Sequence, residues 1–362
     1  MKTEAPPHPR RFRVGLLAGL AILLAAAFGV RTLVRGFGQP ASVFRPALAT
    51  EFFDRYVDDD GRVVRRDQGS DTVSEGQAYA MLLAVALDDA GEFERVWQWT
   101  RSALQRPDGL LSWHWSGGRI ADEQPAADAD VDAAHALVLA ADKFGNPAYL
   151  KEARRMAKAI LESETVRIGR DRVLVPGPWA RDKHLMNPSY IAPEAFDRFA
   201  DAFGDDRWRE VSRSGIRLTA QSTSDGTSMP PDWARIEPGR IVDVGPPDGN
   251  GMPSTGLDAA RVLVRFASSC DDDARDLAKR LRGAVSDWES SERHPLQIVA
   301  AASAAHAAGD ASERDRLLAR AESVARERPS YYGWAWVALG RAMLDGRAIS
   351  SCSGALDLGV GT

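Results

Sequence analysis

From residue 48 onward the chain carries the 3.6-residue rhythm of helices almost without a break, and the alternation of half-buried strands is scarce. Helical segments fall near 48–57, 74–89, 91–105, 128–145, 147–164, 191–204, 206–224, 254–269, 271–288, 294–308, 310–327 and 331–345, twelve in all. They pair through alternately short and long connections. Short joins such as Gly145-Asn146-Pro147, Gly204-Asp205-Asp206 and Gly309-Asp310 have the turn chemistry of antiparallel helix hairpins. The long joins at 106–127, 165–190 and 225–253 hold much of the Gly, Pro and Trp. No fixed sequence period is present, which disfavours a helical solenoid. Six hairpins closed into a toroid, an all-α (α/α)6 barrel, accommodate both the count and the long loops. Loops gathered at one end of such a scaffold are where function usually sits.

The chain divides into residues 1–35, a linker at 36–47, the helical domain at 48–346 and a tail at 347–362. The first part carries Lys2, Arg10, Arg11 and Arg13 ahead of an uncharged, almost wholly apolar run of 17 residues, Val14 to Val30. That run could be a signal peptide cleaved near Ala25-Ala26-Ala27, or an uncleaved membrane anchor at the short limit for spanning. It continues past the cleavage candidate, which favours the anchor. Both readings export the remainder, with the basic flank left in the cytoplasm. Arg10-Arg11 fits a twin-arginine signal poorly.

A net charge of −5 among 362 residues argues against a nucleic-acid partner, which needs a basic face. Cys270 and Cys352 could pair in an exported protein. No Cys/His cluster has ligand spacing, so neither a metal nor another cofactor is expected. Ten Trp are many for packing alone, and aromatic faces also hold sugar rings.

Three stretches place acids at helix starts. In Ser74-Glu75-Gly76-Gln77-Ala78-Tyr79-Ala80-Met81, Ser74 is expected to be the N-cap and Glu75 the first helical residue. Ala127-Asp128-Ala129-Asp130-Val131-Asp132 sets three aspartates at alternate positions ahead of an apolar helix. Each acid has an ordinary role as a complement to the helix dipole, and the aspartates lack the glycine and ligand count of a calcium loop. In Gly256-Leu257-Asp258-Ala259-Ala260-Arg261, an i,i+3 ion pair is the plain reading. Yet apolar neighbours surround Asp258, and an acid in that company is tightly partnered or functional. In a toroid these starts can converge on one rim, where separated carboxylates beside aromatic residues are what glycoside hydrolysis requires. The remaining histidines, His114, His135, His184, His294 and His306, are scattered and are expected to be structural. No nucleophile elbow or phosphate-binding loop is present.

The stretches 74–81, Ala127-Asp128-Ala129-Asp130, Asn187-Pro188-Ser189-Tyr190 and Leu257-Asp258-Ala259-Ala260-Arg261-Val262 are similar, in order, to the successive motifs of glycoside hydrolase family 8. They most resemble those of bacterial endoglucanases associated with cellulose synthesis. Leu110 to Trp115, Pro231-Asp232-Trp233 and Tyr331-Tyr332 add lesser likenesses. The resemblance implies an (α/α)6 barrel that cleaves β-1,4-linked glucan with inversion, with Glu75 as general acid and Asp258 as the base that activates water. Asp128 would orient the sugar at the cleavage point. Tyr190, Trp113, Trp115, Asp130 and Arg261 would bind substrate, with Tyr190 near the water and Arg261 paired to a site carboxylate. A functional link to a cellulose synthase and a monomeric state are further expectations.

Ala80 stands where the family usually has glycine, Ala127 where it has a small hydroxyl residue, and Leu257 where it has an aromatic. These departures spare the carboxylates but leave chitosan, xylan or mixed-linkage glucan open as substrates. A glycan-binding protein with lapsed catalysis is the alternative of another class. The helix dipole should lower the pKa of Glu75, while burial and neighbouring aspartates raise it. The second effect is expected to win, leaving Glu75 above a free glutamate.

Overall fold

The structure, a computed structural model, describes residues 46–345 except 224, 225, 250 and 291. The apolar run at 14–30 and Cys352 lie outside the described residues. Among the described residues no helix is long and apolar enough to cross a membrane.

Two kinds of helix alternate along the chain. In α2 (Ser74–Leu87) only Glu75 and Leu87 escape burial, and in α12 (Tyr331–Leu344) only Tyr332 does. A helix apolar on every side has to be enclosed by others. By contrast α3 (Ala90–Ala103) buries one stripe, Phe93, Val96, Trp97 and Thr100, and turns its charged face outward. Helix contacts give an inner ring of α2, α4 (Ala127–Phe144), α6 (Pro193–Phe203), α8 (Leu257–Ala267), α10 (Pro295–Ala307) and α12, of which α6 alone buries only a stripe. Each packs on the next, and α12 closes the ring against α2. The outer ring is α1 (Pro46–Tyr56), α3, α5 (Pro147–Ser163), α7 (Arg207–Gln221), α9 (Asp272–Arg280) and α11 (Ala311–Glu327). Each outer helix from α3 on backs the inner helix before it, while α1 backs α12, so the two ends of the domain meet. This is the (α/α)6 barrel that the twelve segments imply.

The short joins follow their turn chemistry. Gly145 and Gly204, both at φ 65, terminate α4 and α6 in the left-handed conformation. Asp89, Asn146, Asp271 and Asp310 cap α3, α5, α9 and α11 with their side chains. Close approach within the inner ring requires small residues. A Cβ on Gly76 would lie 2.6 Å from the Tyr331 hydroxyl, where the start of α12 crosses the start of α2. Gly76→Ala should therefore lower stability by about 1–3 kcal/mol, read as the urea midpoint; an unchanged midpoint would count against this packing.

Three details depart from the sequence reading. Ser74 is not the cap of α2: Val73 holds that position, and the Ser74 hydroxyl is buried without a partner. The helical pattern at 271–288 breaks at Arg280 into a 3-10 turn, Leu281–Val285. The joins between helices also carry short antiparallel strands. These are β1 (Thr72–Val73), β2 (Ser112–Ser116) and β3 (Arg119–Pro125) in one sheet, and β4 (Thr165–Ile168) with β5 (Asp171–Leu174) in a second. The third sheet is β6 (Leu185–Met186), β7 (Ala234–Glu237) and β8 (Arg240–Asp243). Three of the pairings are hairpins within one join, β1 and β6 pair with strands of other joins, and most of the strands are too short to show a period of two.

Candidate active site

Glu75, Asp128 and Asp258 share one local position: each is the second residue of an inner helix, α2, α4 and α8 respectively. Side chains on a helix lean toward its N-terminus, so all three project from the rim where the long joins gather. One turn further into the ring, Tyr79 follows Glu75 by four residues and Arg261 follows Asp258 by three.

Arg261 connects the three helices. Its Nη1 donates to Asp128 Oδ2 at 2.9 Å and to the Tyr79 hydroxyl at 3.3 Å, and lies 3.8 Å from Glu75 Oε1. Its Nη2 donates to Asp258 Oδ1 at 2.9 Å and to Ser189 Oγ at 2.8 Å. Because Glu75 and Asp258 approach the same guanidinium, their nearest oxygens are no more than about 9 Å apart. The group is layered. Arg261 and Asp128 are 2% and 4% exposed, whereas Glu75 and Asp258 are 25% and 28% exposed. The buried pair forms a floor, and the two carboxylates that reach solvent stand above it.

Asp258 is held on both oxygens. While Oδ1 accepts from Arg261, Oδ2 accepts from Asn187 Nδ2 at 2.8 Å. Asn187 Oδ1 in turn accepts from the Ser189 amide at 3.0 Å and its hydroxyl at 2.7 Å. The circuit closes through Ser189 and Arg261, so the carboxylate can rotate only by breaking it. Each of its oxygens keeps a lone pair for water.

Glu75 is the opposite case. Burial, with Asp128 and Asp258 adding to it, pushes its pKa up to about 7 against the opposing pull of Arg261 and the Tyr79 hydrogen bond. Glu75 Oε1 accepts from the Tyr79 hydroxyl at 2.5 Å. Tyr79 itself is raised well above its ordinary value, first by burial and then by Glu75, so it stays a donor. A proton on Glu75 therefore belongs on Oε2. Asp128 is also raised by burial, with Arg261 opposing.

The structure sorts the other expected site residues. The Tyr190 ring lies 5.4 Å from the Arg261 guanidinium carbon and edge-on to Trp233 at 6.1 Å. Its phenol is kept protonated by burial and by the charges of Asp128 and Asp258. Trp113 is half-exposed and stacks on His114 at 4.7 Å. Trp115 is half-buried, with Arg62 over its face at 4.2 Å and Trp99 at its edge, so packing takes up much of its surface. Asp130, expected to bind substrate, does not reach the rim. It is completely enclosed and accepts from the Leu111 amide at 2.8 Å, which ties the approach to β2 onto α4. Two residues beyond Asp128 on a helix, it points to another face. Asp132, one turn below Asp128, makes a buried bidentate pair with Arg265, 2.7 Å on each side.

Sequence reasoning did not single out Tyr79, Asn187, Ser189 or Tyr332. All four lie within stretches quoted above for their likeness to the family, and Tyr79 also sits four residues after Glu75 at helical spacing, so signals for them exist although none is given a role there. Tyr332, the one half-exposed residue of α12, lies in the field of Arg261, Glu75 and Asp258.

Comparison with known proteins identifies the family. The profile of "Glycosyl hydrolases family 8" matches residues 26–246. A probable endoglucanase of Novacetimonas hansenii is 32% identical over 251 residues, 67% of this chain and 73% of its own. Among solved structures, the endo-β-1,4-glucanase CMCax of Acetobacter xylinum superposes with TM-score 0.67 at 26% identity, over 82% of this chain and 97% of its own. A β-1,3-1,4-glucanase of Paenibacillus sp. X4 reaches TM-score 0.73 at 18% identity, over 83% and 90%. The profile takes in the helix starts that carry Glu75 and Asp128, and the third, at Asp258, lies beyond its end. With more than half the chain matched, this protein belongs to glycosyl hydrolases family 8 and is a glycoside hydrolase.

Proposed function

We propose that the protein is an endo-acting β-1,4-glucanase that works by inversion. The observation that carries this reading is the pair of solvent-reaching carboxylates with opposite environments on one guanidinium. Glu75 is raised to about 7 and holds a proton near neutrality. Asp258 is anchored through both oxygens to Arg261 and Asn187. In the first role, Glu75 Oε2 protonates the leaving glycosidic oxygen. In the second, Asp258 takes a proton from a water that attacks the anomeric carbon from the opposite face. The ceiling of about 9 Å on the gap between their nearest oxygens does not exceed the roughly 6.5–9.5 Å at which an inverting pair admits such a water, and the stereochemistry of the first product decides between inversion and retention. Asp128, beneath the rim and fixed to Arg261, orients the sugar at the cleavage point and is too enclosed to serve as a nucleophile. Trp113 and Tyr190 offer faces to neighbouring rings. That the relatives compared are endoglucanases supports glucan as the substrate class; the fold alone does not set linkage, since the Paenibacillus enzyme shares it.

Purified protein should release reducing ends from soluble carboxymethyl-cellulose with a rapid fall in viscosity, and NMR should show the α-anomer as the first product. Release from xylan, chitosan or mixed-linkage glucan alone would move the substrate, and no release from any β-glycan would favour a binding protein. A first product in the β configuration would overturn inversion. Export, with residues 14–30 as the anchor, is part of the same proposal: fractionated cells should hold the full-length chain in the membrane, with the barrel open to external protease. A functional link to a cellulose synthase would appear as altered cellulose output on deletion.

A further inference from the structure

The start of α8 carries both the proposed base and Arg261, yet its own cap residue, Gly256, has no side chain to close it. The carboxylate of Asp232, from the long join between α7 and α8, does this instead. Asp232 Oδ1 accepts from the Gly256 amide at 2.9 Å and the Ala259 amide at 2.8 Å, and Oδ2 accepts from the Ser254 hydroxyl at 2.8 Å. Its own amide donates to the Ser254 carbonyl at 2.8 Å. The glycine is required for this approach, because a Cβ at Gly256 would stand 2.9 Å from Asp232 Oδ2. Asp232 is nearly buried, and the amides it satisfies flank Asp258 on either side.

The elements around it make this more than a local cap. Asp232 lies two residues before β7, and β7 pairs with β6, Met186 standing opposite Ala234. Met186 is followed directly by Asn187, which holds Asp258 Oδ2. Trp233, between Asp232 and β7, packs edge-on against Tyr190. One small sheet thus carries two grips on the same residue, one on the carboxylate and one on the helix turn from which it projects.

We infer that Asp232 is a positioning residue for Asp258: it fixes the first turn of α8 to the β6–β7–β8 sheet and so sets the aim of the base across the rim. This rests on the proposed role of Asp258. Misplacing a catalytic group by about an ångström costs on the order of 100-fold in rate. Asp232→Ala should therefore lower kcat on carboxymethyl-cellulose by about 100-fold, with KM changed less than about threefold because no sugar contact is removed. Asp232→Asn, whose amide oxygen can still accept from both backbone amides, should recover at least about tenfold of that loss. Ser254→Ala should lower kcat several-fold without moving the melting temperature.

A folded Asp232→Ala enzyme with near-wild-type kcat, or a loss confined to KM, would overturn the assignment. Should Asp232→Ala fail to fold, the Asn and Ser254 variants carry the same comparison, and unchanged kcat in both would overturn it. Hydrogen exchange at the Ala259 amide reads the grip without any activity. Faster exchange in Asp232→Asn or Ser254→Ala than in wild type supports the grip, and unchanged exchange counts against it. If the wild type cleaves no glycan while exchange still responds, the functional reading fails and the grip stands.

Discussion

Glu75→Gln should lower kcat on soluble β-glucan by about 10²–10⁴-fold, the usual contribution of a positioned general acid, with little change in KM. Glutamine keeps the shape and can still accept from Tyr79, so binding survives while the proton is gone. The wild-type rate should decline as pH rises through about 7, because the raised pKa of Glu75 sets the upper limb. A wild-type upper limb near pH 4.5 would contradict the assignment.

Stability gives an independent check with its own sign. The folded-state pKa of Glu75 is raised from its ordinary 4.5 to about 7. Between those values the folded protein holds a proton that the unfolded chain releases. This contribution is complete below the lower value and is lost as pH rises through the upper one. Glutamine cannot ionise, so relative to wild type the variant should gain melting temperature above pH 7. No relative gain there would mean that burial does not oppose ionisation of Glu75.

Arg261→Met should be the more damaging change. It leaves Asp128 buried and uncompensated, a loss of about 3–5 kcal/mol, and it frees Asp258 and Glu75 from their common anchor. Activity should fall below detection even in folded protein. Arg261→Lys should not restore it, since a single ammonium cannot reach Asp128, Ser189 and Asp258 with a planar set of donors. The double variant Asp128→Asn with Arg261→Met removes the stranded charge together with its partner. It should recover part of the lost stability, measured by urea unfolding, and none of the activity. A double variant no more stable than Arg261→Met alone would show that the ion pair is not the source of the loss.

Much of this architecture is written locally. Helices such as α2 and α12, apolar on nearly every side, have no stable place except inside a ring of others, while the single stripe of α3 suits an outer wall. Those patterns are visible residue by residue. Glycines at 145 and 204 and acids at 89 and 310 mark where hairpins turn. Acids at the three helix starts and the quoted motifs around them announced the chemistry as well.

What did not show was which acid faces the site. Asp128 and Asp130 read alike in sequence, yet a two-residue step around α4 sends one to the floor of the site and the other into the packing beneath Leu111. Ser74 looked like a cap because its type and place suit one. Backbone dihedrals at Val73 decided otherwise, and no local pattern encodes them.

The sequence by itself determined the helices, their pairing and the identity of the acids, because periodicity, turn residues and side-chain chemistry are local properties. Only the tertiary structure decided that Arg261 would gather Glu75, Asp128 and Asp258, and that Asn187 and Asp232, flanking two paired strands of one sheet, would grip the carboxylate of the last and the helix turn that carries it. Those contacts join residues as many as 186 positions apart, Glu75 to Arg261. Burial and charge arising from closure of the ring, and not from any neighbour in sequence, set which carboxyl keeps its proton.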